Sequence, residues 1–168
     1  MASSKTLHER DHSGDDEISK WQKDQLFRSD ALLLGRVTYE GFAAAWATMS
    51  DPDGFADRMN RLPKYVGSRS LKKAEWNASI IKGDVADAVS RLKRHAGSGD
   101  ILIYGSATLV HSLFERDLIN ELRLMFHPIV VGRGARLFRD GVPNKTLKLA
   151  DPKTTGTGIV VTVYEPVR

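Results

Sequence analysis

The stretch Ala31-Leu32-Leu33-Leu34-Gly35-Arg36-Val37-Thr38-Tyr39-Glu40 decides how this chain is read. Its short apolar run has the length of a strand, stops at glycine and continues as a helix-forming segment. A second junction of the same kind is Ile101-Leu102-Ile103-Tyr104-Gly105-Ser106-Ala107-Thr108-Leu109. At such a corner glycine lets the backbone come close to a ligand, while the first free N–H groups of the helix and its positive dipole end face an anion. Arg36 and Thr38 add a cation and a hydroxyl to the first corner, and Ser106 and Thr108 add hydroxyls to the second. Two such corners suit a ligand with several phosphates, such as a dinucleotide.

A third loop agrees with them. Ser68-Arg69-Ser70, at the end of another predicted strand and followed by Lys72 and Lys73, can hold a further phosphate. Isolated glycines at strand ends are commonly packing turns, and a Ser-Arg-Ser loop is commonly just solvated. The weight lies in three anion-ready loops occurring together, which favours NADP over NAD because the 2′-phosphate needs its own cation and hydroxyls. No Gly-x-Gly-x-x-Gly opens a helix, which argues against a Rossmann domain. Gly132-Arg133-Gly134 reads as a bend between strands.

With 168 residues, 41% of them apolar and 27% charged, the composition is that of an ordinary globular protein and most simply of one domain. No apolar run approaches the roughly 20 residues of a membrane span, so no membrane role is expected. There is no cysteine, which removes disulfides, thiolate metal sites and a cysteine nucleophile. No basic-then-apolar leader opens the sequence, and a reducing cytoplasm is the expected compartment. The net charge of +4 raises nucleic acid as a partner. Yet the cations are interleaved with acids and lack an aromatic platform, so none is expected, and a small anionic ligand uses the same positive potential.

Residues 1–14 are polar and aperiodic and read as a tail; residues 15–168 read as the domain. Ser13, with Asp15, Asp16 and Glu17 behind it, marks a helix start, and Ile18, Trp21 and Leu26 mark its inner face. Strands are expected at 31–34, 64–68, 78–82 and 101–104. Helices are expected at 36–47, before Leu62-Pro63, after Asp84 and after Gly105. From Asn120 the pattern turns β-rich, with alternation through His127 and a hairpin over 145–167 that turns at Thr155-Gly156-Thr157-Gly158. The expected fold class is therefore α/β in three layers: a mostly parallel central sheet flanked by helices, with antiparallel strands at the C-terminal end.

His8-Glu9-Arg10-Asp11-His12 matches the His-Glu-x-x-His zinc pattern, but it sits in the polar tail with only Leu7 as apolar anchor, so no metal is expected. His111 is placed on the polar side of its helix, His95 in the last turn of its own, and His127 on a strand. No paired carboxylates and no Gly-x-Ser-x-Gly appear. Hydride transfer needs neither, since the cofactor carries that chemistry.

The segments Leu33 to Glu40, Gly105 to Leu109, and Asn120-Glu121-Leu122-Arg123-Leu124 leading to His127-Pro128-Ile129-Val130-Val131-Gly132-Arg133-Gly134 together resemble the dihydrofolate reductase-like superfamily. The similarity is greatest to stand-alone reductases related to the C-terminal domain of the riboflavin-biosynthesis enzyme RibD. The resemblance implies an NADPH-dependent reductase, usually a homodimer, acting on a small heterocycle; in the pathway enzyme this is a phosphorylated ribosylaminouracil. It implies that Gly35, Arg36 and Thr38 meet one end of the cofactor phosphates, that Ser68, Arg69 and Ser70 lie near the 2′-phosphate, and that Gly105, Ser106, Ala107, Thr108 and Leu109 run along the pyrophosphate. Asp16 is the carboxylate it offers to the substrate, and as a helix-start acid it also suits a cap.

The front of the chain departs from the pattern. Family members typically begin with an apolar strand and a Ser-x-Asp-Gly loop, central in the sheet and beside nicotinamide and substrate, where residues 1–14 here carry neither. The alternative expectation is accordingly an NADP-binding relative with an incomplete substrate site. Gly67, where the family tends to an aliphatic residue, is a smaller departure.

Overall fold

Leu32, Leu33 and Leu34 have no exposed surface, and the strand they build lies at the heart of the molecule. The computed structural model describes residues 13–95, 97 and 99–167. In chain order the elements are α1 (Ser13–Arg28), β1 (Ser29–Gly35), α2 (Arg36–Trp46), α3 (Phe55–Arg61), β2 (Lys64–Gly67), β3 (Ala78–Ile81), α4 (Val85–His95), β4 (Asp100–Gly105), α5 (Ala107–Glu115), β5 (Leu122–Phe126), β6 (Leu147–Thr154) and β7 (Val160–Pro166).

Strands β3-β2-β1-β4 form a parallel sheet in that order, and β5-β7-β6 form a separate antiparallel one. The leucines of β1 alternate between two cores. Leu33 packs with Ala86 and Val89 of α4 and Leu109, Leu113 and Phe114 of α5, whereas Leu32 and Leu34 pack with Leu26 of α1, Tyr39 of α2 and Met59 of α3. A strand covered on both faces needs an unbroken apolar run, which is what the sequence carries there. The predicted strands and helices of this half are found, with β1 beginning at Ser29 rather than Ala31 and β4 at Asp100 rather than Ile101. Asp84 caps α4, its Oδ1 accepting from the Asp87 N–H at 2.9 Å.

The expected class, a mostly parallel sheet flanked by helices with antiparallel strands towards the C-terminal end, is the one found; among the described residues β4 and β5 do not pair, and a groove of about 480 Å³ is lined by both strands, α1 and the segment after α5. Two expectations need correction. His127 lies past the end of β5, because Pro128 lacks an amide hydrogen to continue a ladder. His111 is not on a polar face. It is buried, with Nε2 donating to the Leu137 carbonyl at 2.5 Å and its ring stacked on Phe138, because the segment around Leu137 folds over a helix face that faced no apolar partner in sequence.

Gly132 and Gly134 both have positive φ in an exposed irregular segment, in keeping with a bend. The hairpin turns where expected, with Thr155 N–H donating to Ile159 O at 2.9 Å and Gly158 at φ +80. The His8-Glu9-x-x-His12 pattern lies outside the described residues. Among those that are described, no cluster of acidic or histidine side chains could hold a metal, and no helix is long and apolar enough to cross a membrane.

Candidate cofactor site

The parallel register brings the ends of three strands level: Gly35 lies opposite Gly67, and Gly105 opposite Leu34. Both glycine corners therefore open on the same edge of the sheet, the carboxyl edge where open α/β sheets bind ligands. Their helices leave on opposite faces, α2 towards α1 and α3, α5 towards α4.

The corners are also fitted into each other. A Cβ on Gly35 would lie 2.7 Å from Ser106 Oγ and 3.1 Å from the Ser106 amide nitrogen, and one on Gly105 would lie 3.2 Å from Thr38 Oγ1. Gly105 also has φ +134, a conformation other residues rarely adopt. Each glycine thus makes room for the hydroxyl residue of the opposite corner.

The helix starts differ. At α2 the N-cap is Gly35 and no side chain caps it, leaving the first N–H groups to solvent or a ligand. At α5 Ser106 is the N-cap and its Oγ accepts from Leu109 N–H at 3.4 Å, which leaves the hydroxyl hydrogen to donate. Ala107 and Thr108 are exposed and Leu109 is buried in the core. Arg36 is less of a free cation than its sequence position suggests: its Nη1 is bound by Glu40 at 2.8 and 3.1 Å.

Beyond β2 the chain makes a tight serine turn. Ser68 Oγ accepts from Ser70 N–H at 3.2 Å and Leu71 N–H at 2.9 Å, and again keeps its hydrogen for a donor role. Arg69 and Ser70 are exposed at its tip, and Arg69 and Lys72 make no ion pair among the described residues, whereas Lys73 is taken by Glu75. The turn is anchored from behind by Tyr39, whose hydroxyl donates to Glu75 O at 3.0 Å and accepts from Glu75 N–H at 2.8 Å. Gly67 is explained by packing, since its Cβ would meet Val85 Cγ2 at 3.3 Å.

Asp16 stands exposed on the first turn of α1, a helix that packs chiefly on α3 and β4 rather than on the glycine corners. Tyr104, which sequence reasoning passed over, comes immediately before Gly105 and lines the groove beside β4. Its ring packs on Phe42, its hydroxyl is buried without a hydrogen-bond partner, and burial pushes its pKa up to about 12. It is therefore a neutral donor with nothing to donate to. An aromatic placed directly before a glycine corner was the available clue.

Lys64, at the start of β2, was also missed. It is 1% exposed, its Nζ donates to the carbonyls of Leu62 at 2.8 Å and Asn60 at 3.2 Å, and it lies 4.1 Å from the Trp76 ring centroid. Burial lowers its pKa to about 8.

A three-layer α/β domain with paired glycine corners at one sheet edge has clear relatives. The chain belongs to the RibD C-terminal domain family, whose sequence pattern matches residues 2–161. It is 31% identical over 144 residues to the uncharacterized protein YyaP of Bacillus subtilis (strain 168), covering 84% of this chain and 76% of that one. In structure it resembles a pyrimidine reductase-like protein from Corynebacterium diphtheriae, with TM-score 0.65 at 13% identity, over 99% of this chain and 87% of that one. It also resembles RibD of Acinetobacter baumannii, with TM-score 0.59 at 14% identity, over 89% of this chain and 51% of that larger one. The fold is thus the dihydrofolate reductase-like fold of RibD C-terminal domains, and a reductase-like role follows at that level.

Proposed function

We propose that the protein is an NADPH-dependent reductase of a small heterocyclic substrate, pyrimidine- or pterin-like, working in the cytoplasm as a homodimer. The observation that carries this reading is the close fit of Gly35 against Ser106 and of Gly105 against Thr38, which a Cβ at either glycine would crowd. In this reading Gly35, Arg36 and Thr38 hold one end of the cofactor phosphates on the uncapped start of α2. Gly105, Ser106, Ala107, Thr108 and Leu109 border the pyrophosphate, with the Ser106 hydroxyl hydrogen donating. Ser68, Arg69 and Ser70 take the 2′-phosphate. When bound, NADPH supplies a hydride; the chain supplies orientation and charge.

Support for a small heterocycle comes from the family and from the name of the C. diphtheriae neighbour. Support for a dimer comes from the run Ile129-Val130-Val131, which is 70%, 96% and 68% exposed. Asp16 is the carboxylate proposed for the substrate. The groove beside β4 favours a second reading, an NADP-binding relative whose substrate half is incomplete.

Thermal shift with NADPH and NADH tests the cofactor, and substrate-dependent NADPH oxidation separates the two readings. NADPH should raise Tm more than NADH. Arg69→Ala should shrink that difference by about 1–3 kcal/mol, the typical loss for a charge-assisted hydrogen bond. Equal stabilisation by the two nucleotides refutes the assignment.

A further inference from the structure

We infer that Tyr39 is a positioning residue for nucleotide choice: its hydroxyl sets the preference for a 2′-phosphorylated dinucleotide by tying the loop 68–75 to α2. This rests on the reading of Ser68, Arg69 and Ser70 as the holders of the 2′-phosphate. Three observations carry it.

The first is how little else holds the loop. Residues 68–77 belong to no helix or strand, and among the described residues no backbone–backbone hydrogen bond joins residues 69–76 to the rest of the chain. The bonds that Ser68 accepts from Ser70 and Leu71, and the pairing of Lys73 with Glu75, lie within the loop itself. Leu71 and Ala74 pack on the core cluster that contains Tyr39, but apolar contact is non-directional and fixes no register. The Tyr39 hydroxyl supplies the directional tie, donating to the Glu75 carbonyl at 3.0 Å and accepting from the Glu75 N–H at 2.8 Å. A phenol can do both at once, and a phenyl ring can do neither.

The second is the backbone just beyond. Trp76 and Asn77 have φ +58 and +53, a left-handed pair that a residue as bulky as tryptophan rarely adopts. Such a conformation persists only where its surroundings over-determine it. On the far side Trp76 Nε1 donates to Asn60 Oδ1 at 2.7 Å and Asn77 Nδ2 to the Arg61 carbonyl at 2.8 Å. On the near side, among the described residues, Tyr39 alone bonds the backbone of Glu75.

The third is the place of Tyr39. It is buried, one residue after Thr38, in the helix whose start no side chain caps. Thr38 is the residue a Cβ on Gly105 would crowd, so α2 bears on the glycine corners through Thr38 and on the loop through Tyr39. Arg69 and Ser70 stand exposed at the loop tip. Holding that tip in place before a ligand arrives lowers the ordering cost of binding, and only for a ligand that reaches the tip. NADPH carries a 2′-phosphate to it; NADH has no group there.

The test uses the full chain, with adenosine 2′,5′-bisphosphate and 5′-AMP as probes beside NADPH and NADH, read by calorimetric titration and amide hydrogen exchange. In the unaltered chain the bisphosphate, unlike 5′-AMP, should slow exchange over 69–75 by about tenfold or more. Tyr39→Phe should speed exchange there by about tenfold in the free protein and cut the ratio of NADPH to NADH affinity by about fivefold or more, with NADH affinity held within about twofold. Arg69→Ala should lower that ratio less in Tyr39→Phe than in the unaltered chain, because the two residues act through one contact. An unchanged ratio in Tyr39→Phe, an equal loss of both nucleotides as a general loosening of the fold would give, or effects of the two substitutions that multiply in full, overturns the inference while the cofactor reading stands. No preference of the unaltered chain for NADPH or for the bisphosphate overturns both together.

Discussion

Replacing Gly35 by alanine isolates the fit between the two corners. Gly35 has φ −74 and ψ 157, which alanine adopts freely, so no backbone strain enters. Restricting the unfolded chain alone would stabilise the protein by about 0.4–1 kcal/mol. Against this, the new methyl would sit 2.7 Å from Ser106 Oγ and 3.1 Å from the Ser106 amide nitrogen. The hydroxyl can rotate away, but the amide is fixed by β4 and α5, so the corners must part, at about 1–3 kcal/mol for an overpacked site. The expected net is a loss of about 0.5–2 kcal/mol.

Gly41 supplies the control within the same helix. Nothing lies within 4 Å of a Cβ there, and alanine should stabilise the exposed helix by about 0.5–1 kcal/mol. Urea denaturation at constant m value measures both. Opposite signs are expected, together with a weaker nucleotide-induced Tm rise for Gly35→Ala only. If Gly35→Ala stabilises as much as Gly41→Ala, the corners do not interlock and the proposed site loses its main support.

Two further outcomes follow from buried polar groups. Lys64 has its pKa lowered from 10.5 to about 8, so between those values the unfolded chain binds more protons than the folded one and stability rises with pH. Relative to Lys64→Met, the native chain should gain up to about 3 kcal/mol across that window, less whatever the Leu62 and Asn60 carbonyls return to the ammonium; parallel pH profiles in urea would refute this. Tyr104→Phe removes a buried hydroxyl that has no partner, and should leave stability unchanged or raise it by about 1 kcal/mol in the same assay. A loss of more than about 1 kcal/mol would show that the hydroxyl is bonded in solution.

The order of elements through β4 and the two glycine corners were legible from residues 31–40 and 101–109 alone, because an apolar run ending in glycine and a helix start is a local pattern, set by chain geometry and solvation over a few residues. So was the hairpin at 155–158. What local pattern could not supply was proximity. That Gly35 makes room for Ser106, that Glu40 occupies Arg36, and that Ser68 spends its oxygen on its own turn depend on strand register and on which side-chain partner wins among several in reach.

Burial of polar groups was likewise decided by tertiary structure. Lys64 reads as a surface residue until α3 and Trp76 close over it, and His111 reads as exposed until the segment around Leu137 covers it. The gap between β4 and β5 is of the same kind. Both strands are plain in the sequence, but whether two strands pair is a long-range choice, and among the described residues these two do not.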